Sequence, residues 1–206
     1  LKYLLDTNAY CLLFNVEKNS SFLNLESKIM DDQVYSFYIS EVTSLEIYSV
    51  IGKMQRGSQP QEQKCSKVLR MGDQYTTCSH TWYIEGNKKL NKNLFRDITK
   101  LLSDIENQRG YIKANVLSYS VASSNKGKQF LRKYSSKYKF GSQDAIIVGN
   151  LMQAKEEGLD DLVLVTSDKS LIAALKEEDI SYYDPNKNEL YLGADARKET
   201  TESIVS

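Results

Sequence analysis

The 206 residues contain 27 Lys plus Arg and 27 Asp plus Glu, a formal net charge of zero. That excludes a histone-like binder working through bulk charge but leaves room for local basic patches. Hydrophobic residues make up 41% and charged residues 26%, the balance of an ordinary globular protein, and a chain this long builds a core without a disulfide or structural metal. Three Cys, an odd number, fit a reducing compartment. No apolar run approaches the ~18 residues of a membrane span, and the opening Leu1-Lys2-Tyr3 has no signal-peptide h-region. The expectation is a cytoplasmic protein with no membrane partner.

In chain order, Tyr3-Leu4-Leu5 reads as a short buried strand, followed by a polar turn at Asp6-Thr7-Asn8 and an apolar segment holding Leu12, Leu13 and Phe14. Val34 to Ile39 reads as another strand, feeding a helix from about Thr43 to Gln55. Leu45, Tyr48, Ile51 and Met54 recur there every third residue, which predicts one buried stripe. From Gly57 to Gly141 strand signals fade, and the apolar face of Asn93 to Glu106 predicts a helix. We expect this middle section to be a helical insertion. Ser142 begins a further helix, and Gly158 stands where a C-terminal cap belongs.

Leu162-Val163-Leu164-Val165-Thr166 is a continuous apolar run, as in a strand buried on both faces of a parallel sheet. A helix pattern follows from Ser170 to Glu178. Ile180 to Tyr183 and Glu189 to Leu192 then flank the turn Asp184-Pro185-Asn186-Lys187-Asn188. Strands alternating with helices predict an α/β/α sandwich with a mostly parallel central sheet. We expect a single domain over 1–192, the insertion at about 57–141, and a flexible polar tail over 193–206.

In an open parallel sheet, ligands bind beyond the carboxyl ends of the strands. Four acidic residues from separate stretches stand at such places: Asp6, Glu46, Asp144 and Asp168. Each has a structural explanation as well. Asp6 suits an Asx-turn, Thr43-Ser44-Leu45-Glu46 reads as a capping box, Asp144 suits a first helical turn, and Asp168 suits an N-cap. Capping leaves unexplained why all four are acids, since Ser, Thr or Asn would cap as well. If they converge, repulsion and desolvation cost several kcal/mol unless cations compensate. Mg²⁺ or Mn²⁺ with oxygen ligands would do so and would suit phosphodiester hydrolysis.

The ordered segments Leu4-Leu5-Asp6-Thr7-Asn8, Ile39-Ser40 through Thr43-Ser44-Leu45-Glu46, Gln143-Asp144-Ala145-Ile146-Ile147 and Val165-Thr166-Ser167-Asp168 resemble the PIN-domain pattern. Within that family they look most like VapC-type toxin ribonucleases. The matching stretches cover 1–56 and about 140–185. The resemblance implies an α/β/α nuclease that cuts RNA with Mg²⁺ or Mn²⁺ held by Asp6, Glu46, Asp144 and Asp168. It further implies supporting polar roles for Asn8 and Thr166, an antitoxin partner and a homodimer. VapC-type toxins have a shorter middle section, so the resemblance supports nuclease chemistry better than the toxin role.

From Asn107 to Gln143 there is no acidic residue. Lys126, Lys128, Arg132, Lys133, Lys137 and Lys139 interleave there with Phe130, Tyr134, Tyr138 and Phe140. Such a mixture suits single-stranded or looped RNA, and it equally suits a solvated helical face whose aromatics pack inward. Cys65, Cys78 and His80 lack paired metal-ligand spacing, and no phosphate-binding glycine loop is present. Two functions from different classes follow: a metal-dependent endoribonuclease, or a PIN-like RNA- or protein-binding module without catalysis. A phosphotransfer domain with Asp6 as acceptor fits less well, because position 8 is Asn.

Overall fold

The computed structural model describes residues 1–14, 17–86 and 89–194. The chain divides into two compact units. One runs Leu1–Ile47 and resumes at Leu101; the other is Tyr48–Lys100. The boundaries fall inside two helices, α3 (Glu41–Arg56) and α4 (Lys92–Glu106). The proposed tail lies beyond residue 194, outside the described residues, apart from Gly193 and Ala194.

The first unit is built on a seven-stranded sheet. Its centre is β1 (Lys2–Leu5), which pairs in parallel with β3 (Val34–Ser40) on one side and with β9 (Leu162–Val165) on the other. Beyond β3 lies β8 (Ile112–Leu117), also parallel. Beyond β9 lie the parallel β10 (Tyr182–Asp184) and the antiparallel β11 (Glu189–Tyr191). The short β2 (Met30–Asp31) folds back on the start of β3, through a turn whose Asp32 and Gln33 both have positive φ, as a primed hairpin turn demands. Parallel strands need helical crossovers, and the sequence supplies them.

Alternation along the strands feeds a helical layer on either face. Leu4, Leu162, Leu164 and Tyr182 join a core with α6 (Ser142–Glu156), α7 (Lys169–Glu177) and α5 (Val121–Tyr134). On the other face Tyr10 of α1 (Thr7–Leu12) packs its ring on Phe37 at 5.7 Å, and α2 (Ser20–Ile29) buries Phe22, Leu25 and Ile29. The architecture is the expected α/β one, with helices over a mostly parallel sheet. α5 and α6 cross at backbone contact: a Cβ on Gly149 would lie 2.2 Å from the Ser123 carbonyl oxygen, and one on Gly127 would lie 2.6 Å from that of Ala145.

Two readings of the middle and of α3 need correction. The stretch 57–141 is not helical throughout, for it holds β4 (Gln61–Lys64), β5 (Val68–Met71), β6 (Gln74–Thr77) and β7 (Thr81–Ile84). Solvent surrounds much of this ribbon, so burial imposes no alternation of apolar and polar residues from which strands could be read. β8 and α5 also fall in this stretch, yet they belong to the sheet and its helical layer. In α3, Leu45 and Met54 are 66% and 54% exposed, while Thr43, Ser44, Ile47 and Ile51 are buried. A three-residue repeat drifts about 60° per step against a helix, so residues nine apart lie on opposite faces.

Candidate functional site

The carboxyl ends of β1, β3 and β9 form one edge of the sheet, and the chain diverges there to opposite sides of β1. This is the topological position at which parallel sheets open a crevice. Asp6 is the first residue past β1. Its amide still donates to the Val165 carbonyl at 3.1 Å, and its carboxylate caps α1 by accepting from the Ala9 amide at 2.6 Å. The residue is buried.

Burial is the main cause that raises the Asp6 carboxyl to about 6. The Ala9 amide and the Thr166 hydroxyl pull it down, and the charges of Asp144 and Asp168 push it up. Thr166, wholly buried at the end of β9, links two of the acids. Its side chain hydrogen-bonds Asp6, and its Oγ1 accepts the Asp168 amide at 3.2 Å. Asp168 caps α7, accepting from the Ser170 and Leu171 amides at 2.7 and 2.8 Å.

Asp144 sits in the first turn of α6 and reaches back to the Gly141 amide at 2.8 Å. Its carboxyl is raised first by burial and then by the charges of Asp168 and Glu46, against the lowering effect of the Gly141 bond. Glu46 lies in the second turn of α3, so the capping-box explanation fails: the helix already begins at Glu41. Glu46 instead accepts a short hydrogen bond from the Thr7 hydroxyl. The Cys11 thiol, raised mainly by burial, also feels Asp6 and Glu46.

Asp6 thus feels the charges of Asp144 and Asp168, and Asp144 those of Asp168 and Glu46. Among the described residues no three His, Cys, Asp or Glu side chains close into a ready chelate. Mg²⁺ asks for less than that, commonly one or two carboxylates with water and substrate phosphate completing the octahedron. The side chains here offer carboxylate and hydroxyl oxygens, the hard donor type that such an ion takes.

Other residues singled out in the sequence fall less simply. Asn8 is exposed on α1, and its side chain bonds none of the four acids among the described residues. The residue beside it, Thr7, makes the bond to Glu46; its one sequence signal was a hydroxyl directly after Asp6. On α5 and the turn after it, Phe130 and Tyr134 are buried, and Tyr138 and Phe140 pack against the core. Lys126 pairs with Glu156, Lys133 with Glu178 and Lys137 with Glu177. Lys128, Arg132 and Lys139 are exposed and make no ion pair with the described residues. Cys78 Sγ lies 3.7 Å from His80 Nδ1, while Cys65 is buried.

No protein-family model matches the chain, and no curated protein does. Among solved structures it aligns with the crystal structure of FitAcB from Neisseria gonorrhoeae at a TM-score of 0.53, with 15% identity over 89% of this chain and 98% of that one. It aligns equally with FitAB bound to an IR36 DNA fragment, at a TM-score of 0.53 and 14% identity over 89% and 94%. The likeness is one of fold. A toxin-antitoxin complex from Klebsiella pneumoniae superposes more loosely, at a TM-score of 0.42 with 15% identity over 82% and 89%. The shared fold is the PIN-like α/β/α arrangement, and it spans nearly the full length of the two better matches. Among the described residues no helix is long and apolar enough to cross a membrane.

Proposed function

We propose that this chain is a metal-dependent endoribonuclease that hydrolyses RNA phosphodiester bonds at Asp6, Glu46, Asp144 and Asp168. One observation carries the reading: at the carboxyl ends of β1 and β9, the buried Asp6 carboxylate stands within reach of the charges of Asp144 and Asp168, and Asp144 within reach of Asp168 and Glu46. A folded chain keeps so costly a cluster where something positive is to be bound. Bound Mg²⁺ or Mn²⁺ would supply that charge, activate water as nucleophile and stabilise the leaving oxygen.

The chain's own residues have separate tasks in this reading. Asp6 and Asp144 provide the inner carboxylates, each with one oxygen tied to a backbone amide so that its direction is fixed. Thr166 keeps Asp6 and Asp168 in register, and Thr7 holds Glu46 toward the end of β1. The PIN-like resemblance extends the proposal to a toxin role, an antitoxin partner and a homodimer, in the cytoplasm. Asp6→Asn and Asp144→Asn should abolish RNA cleavage while the circular dichroism spectrum is kept. Cleavage retained by pure, metal-loaded Asp144→Asn protein would refute the assignment.

A second reading is favoured by the capping geometry. Asp6, Asp144 and Asp168 all accept backbone amides at helix starts, as they would in a PIN-like module that binds RNA or protein without cutting. RNA binding that is salt-sensitive but indifferent to EDTA and to both amide substitutions, with no cleavage by the wild type, selects this reading.

A further inference from the structure

The Tyr48–Lys100 unit holds ten Lys or Arg against four Asp or Glu in a chain whose total charge is zero. At its centre the four strands β4 to β7 form one long hairpin. β4 pairs with β7 from Gln61↔Ile84 to Lys64↔Thr81, and β5 pairs with β6 from Val68↔Thr77 to Met71↔Gln74. Between these ladders the Cys65 amide donates to the His80 carbonyl and the Cys78 amide to the Lys67 carbonyl, both at 2.8 Å. The register never slips. A two-residue turn, Gly72-Asp73, closes the tip, with Gly72 at φ +66°. At about 3.4 Å per residue the ribbon spans roughly 37 Å.

An isolated two-stranded ribbon is marginal in water, and this one displays groups that favour a partner. Tyr75 is 72% exposed, Tyr83 75% and Trp82 48%. Cross-strand pairing sets Tyr75 opposite Arg70, Thr81 opposite Lys64, Trp82 opposite Gln63 and Tyr83 opposite Glu62, so Lys64, Arg70, Tyr75 and Tyr83 share one face of the ribbon while Lys67 and Trp82 lie on the other. Arg70 meets Asp73 only at 3.9 Å on the open surface, a contact worth little. Lys64 and Lys67 form no salt bridge with the described residues.

The base of the hairpin is also basic. Lys53 and Arg56 line an open groove of about 640 Å³ with Val50, Met54 and Leu90, and Arg56 continues into a second groove with Lys89. The two stems touch backbone to backbone there, for a Cβ on Gly86 would lie 2.2 Å from the Ser58 carbonyl oxygen. By contrast, half of the six cations of the α5 region are paired with glutamates, and two of its aromatics are buried.

We infer that the hairpin unit 48–100, and not the α5 region, is a single-stranded RNA-binding arm. Its Lys and Arg neutralise phosphates, and Tyr75, Trp82 and Tyr83 stack unpaired bases. The major groove of duplex RNA is too narrow for such a ribbon, and stacking needs bases that are already open. The choice of RNA over other single strands rests on the nuclease reading; the binding itself does not.

The test is fluorescence anisotropy with a labelled single-stranded RNA oligonucleotide, in EDTA so that metal-dependent cleavage cannot intervene. Combined Lys64→Ala, Lys67→Ala and Arg70→Ala should weaken binding at least tenfold and flatten the log K against log salt slope by about 2, at ~0.7 per phosphate contact. Tyr75→Ser with Tyr83→Ser should weaken it by roughly five- to tenfold per ring. Combined Lys128→Ala, Arg132→Ala and Lys139→Ala, which removes the exposed unpaired cations of the α5 region, should leave it unchanged, and a loss equal to that of the hairpin set overturns the inference. Single-stranded DNA of the same sequence should bind within severalfold, and duplex RNA more weakly. Both hairpin sets change exposed side chains, and melting curves confirm the fold. Affinity that both sets leave within twofold of wild type, absence of binding by the wild type, or tighter binding of duplex RNA overturns the inference. A wild type that binds through the hairpin yet never cleaves with Mn²⁺ supports the arm and removes the nuclease reading, so the two failures are distinct.

Discussion

The Thr7 hydroxyl donates to the Glu46 carboxylate across 39 positions of sequence, tying the first residue of α1 to the second turn of α3. Without that bond Glu46 is one of several long, half-exposed side chains on its helix, free to sample other rotamers. Thr7→Val keeps the shape and removes the donor. Cleavage by the variant should fall about tenfold, the cost of roughly one charge-assisted hydrogen bond, while Thr7→Ser restores most of it. Because Thr7 acts through Glu46, the variant should also weaken Mn²⁺ binding in calorimetry without changing the melting temperature by more than a degree or two. An unchanged metal affinity in Thr7→Val would remove its positioning role.

Asp6 makes the fold pH-dependent in a direction opposite to that of most carboxylates. Its folded value of about 6 lies above the ordinary 3.8. Below pH 3.8 both folded and unfolded chains hold the proton; between 3.8 and 6 the folded chain keeps it and the unfolded chain has lost it. Stability from this group therefore falls as pH rises through that window, by about 3 kcal/mol in all. Asp6→Asn still caps α1 but carries no charge. It should be more stable than wild type at pH 7.5 in EDTA, by up to about 3 kcal/mol, and the gain should vanish near pH 4. Urea denaturation at both pH values measures the difference, and an Asp6→Asn chain less stable at pH 7.5 contradicts the burial account.

What could be read from the sequence was what the sheet's inner strands dictate. Leu162 to Val165, apolar on both faces, announces a central parallel strand, and the acids directly after the strand ends follow from topology. The hairpin of 61–84 could not be read that way. Residues such as Gln61, Glu62, Tyr75 and Tyr83 face water, so burial imposes no period there, and Gly-Asp at its tip is a weaker turn signal than Asn-Gly. The α5 region misled for a related reason: spacing alone cannot say whether Phe130 and Tyr134 face a core or a ligand. Glu46 gained from the structure in another way, because seeing α3 begin at Glu41 removes its capping role.

A divalent cation would reverse the charge problem at Asp6 and Asp144, and its binding should itself depend on pH. Ligand carboxylates must lose their protons first, and both of these hold them longer than ordinary aspartates. Millimolar Mn²⁺ should raise the melting temperature of the wild type at pH 7.5, worth about 2.7 kcal/mol when the ion is at a hundred times its dissociation constant. The shift should shrink sharply by pH 5 and be absent in Asp144→Asn at either pH. Equal stabilisation of wild type and Asp144→Asn would place the ion elsewhere.

Asp144 depends in turn on a helix crossing well away from it. α6 presents Asp144 at its start and, five residues on, presses Gly149 against the Ser123 carbonyl of α5, where a Cβ would stand 2.2 Å from the oxygen. The obstacle is backbone, which cannot rotate aside as a side chain would, so the two helices must separate. Gly149→Ala should therefore cost about 2–4 kcal/mol despite alanine's better helix propensity. A control without a backbone obstacle, Gly52→Ala in α3, meets only the end of Arg56 at 3.7 Å and should be neutral or slightly stabilising. Any Gly149→Ala chain that still folds should bind Mn²⁺ more weakly, because α6 moves as a rod and carries Asp144 with it. Wild-type stability in Gly149→Ala would mean that the α5–α6 contact is looser than this geometry, and the link from crossing to carboxylate would fail with it.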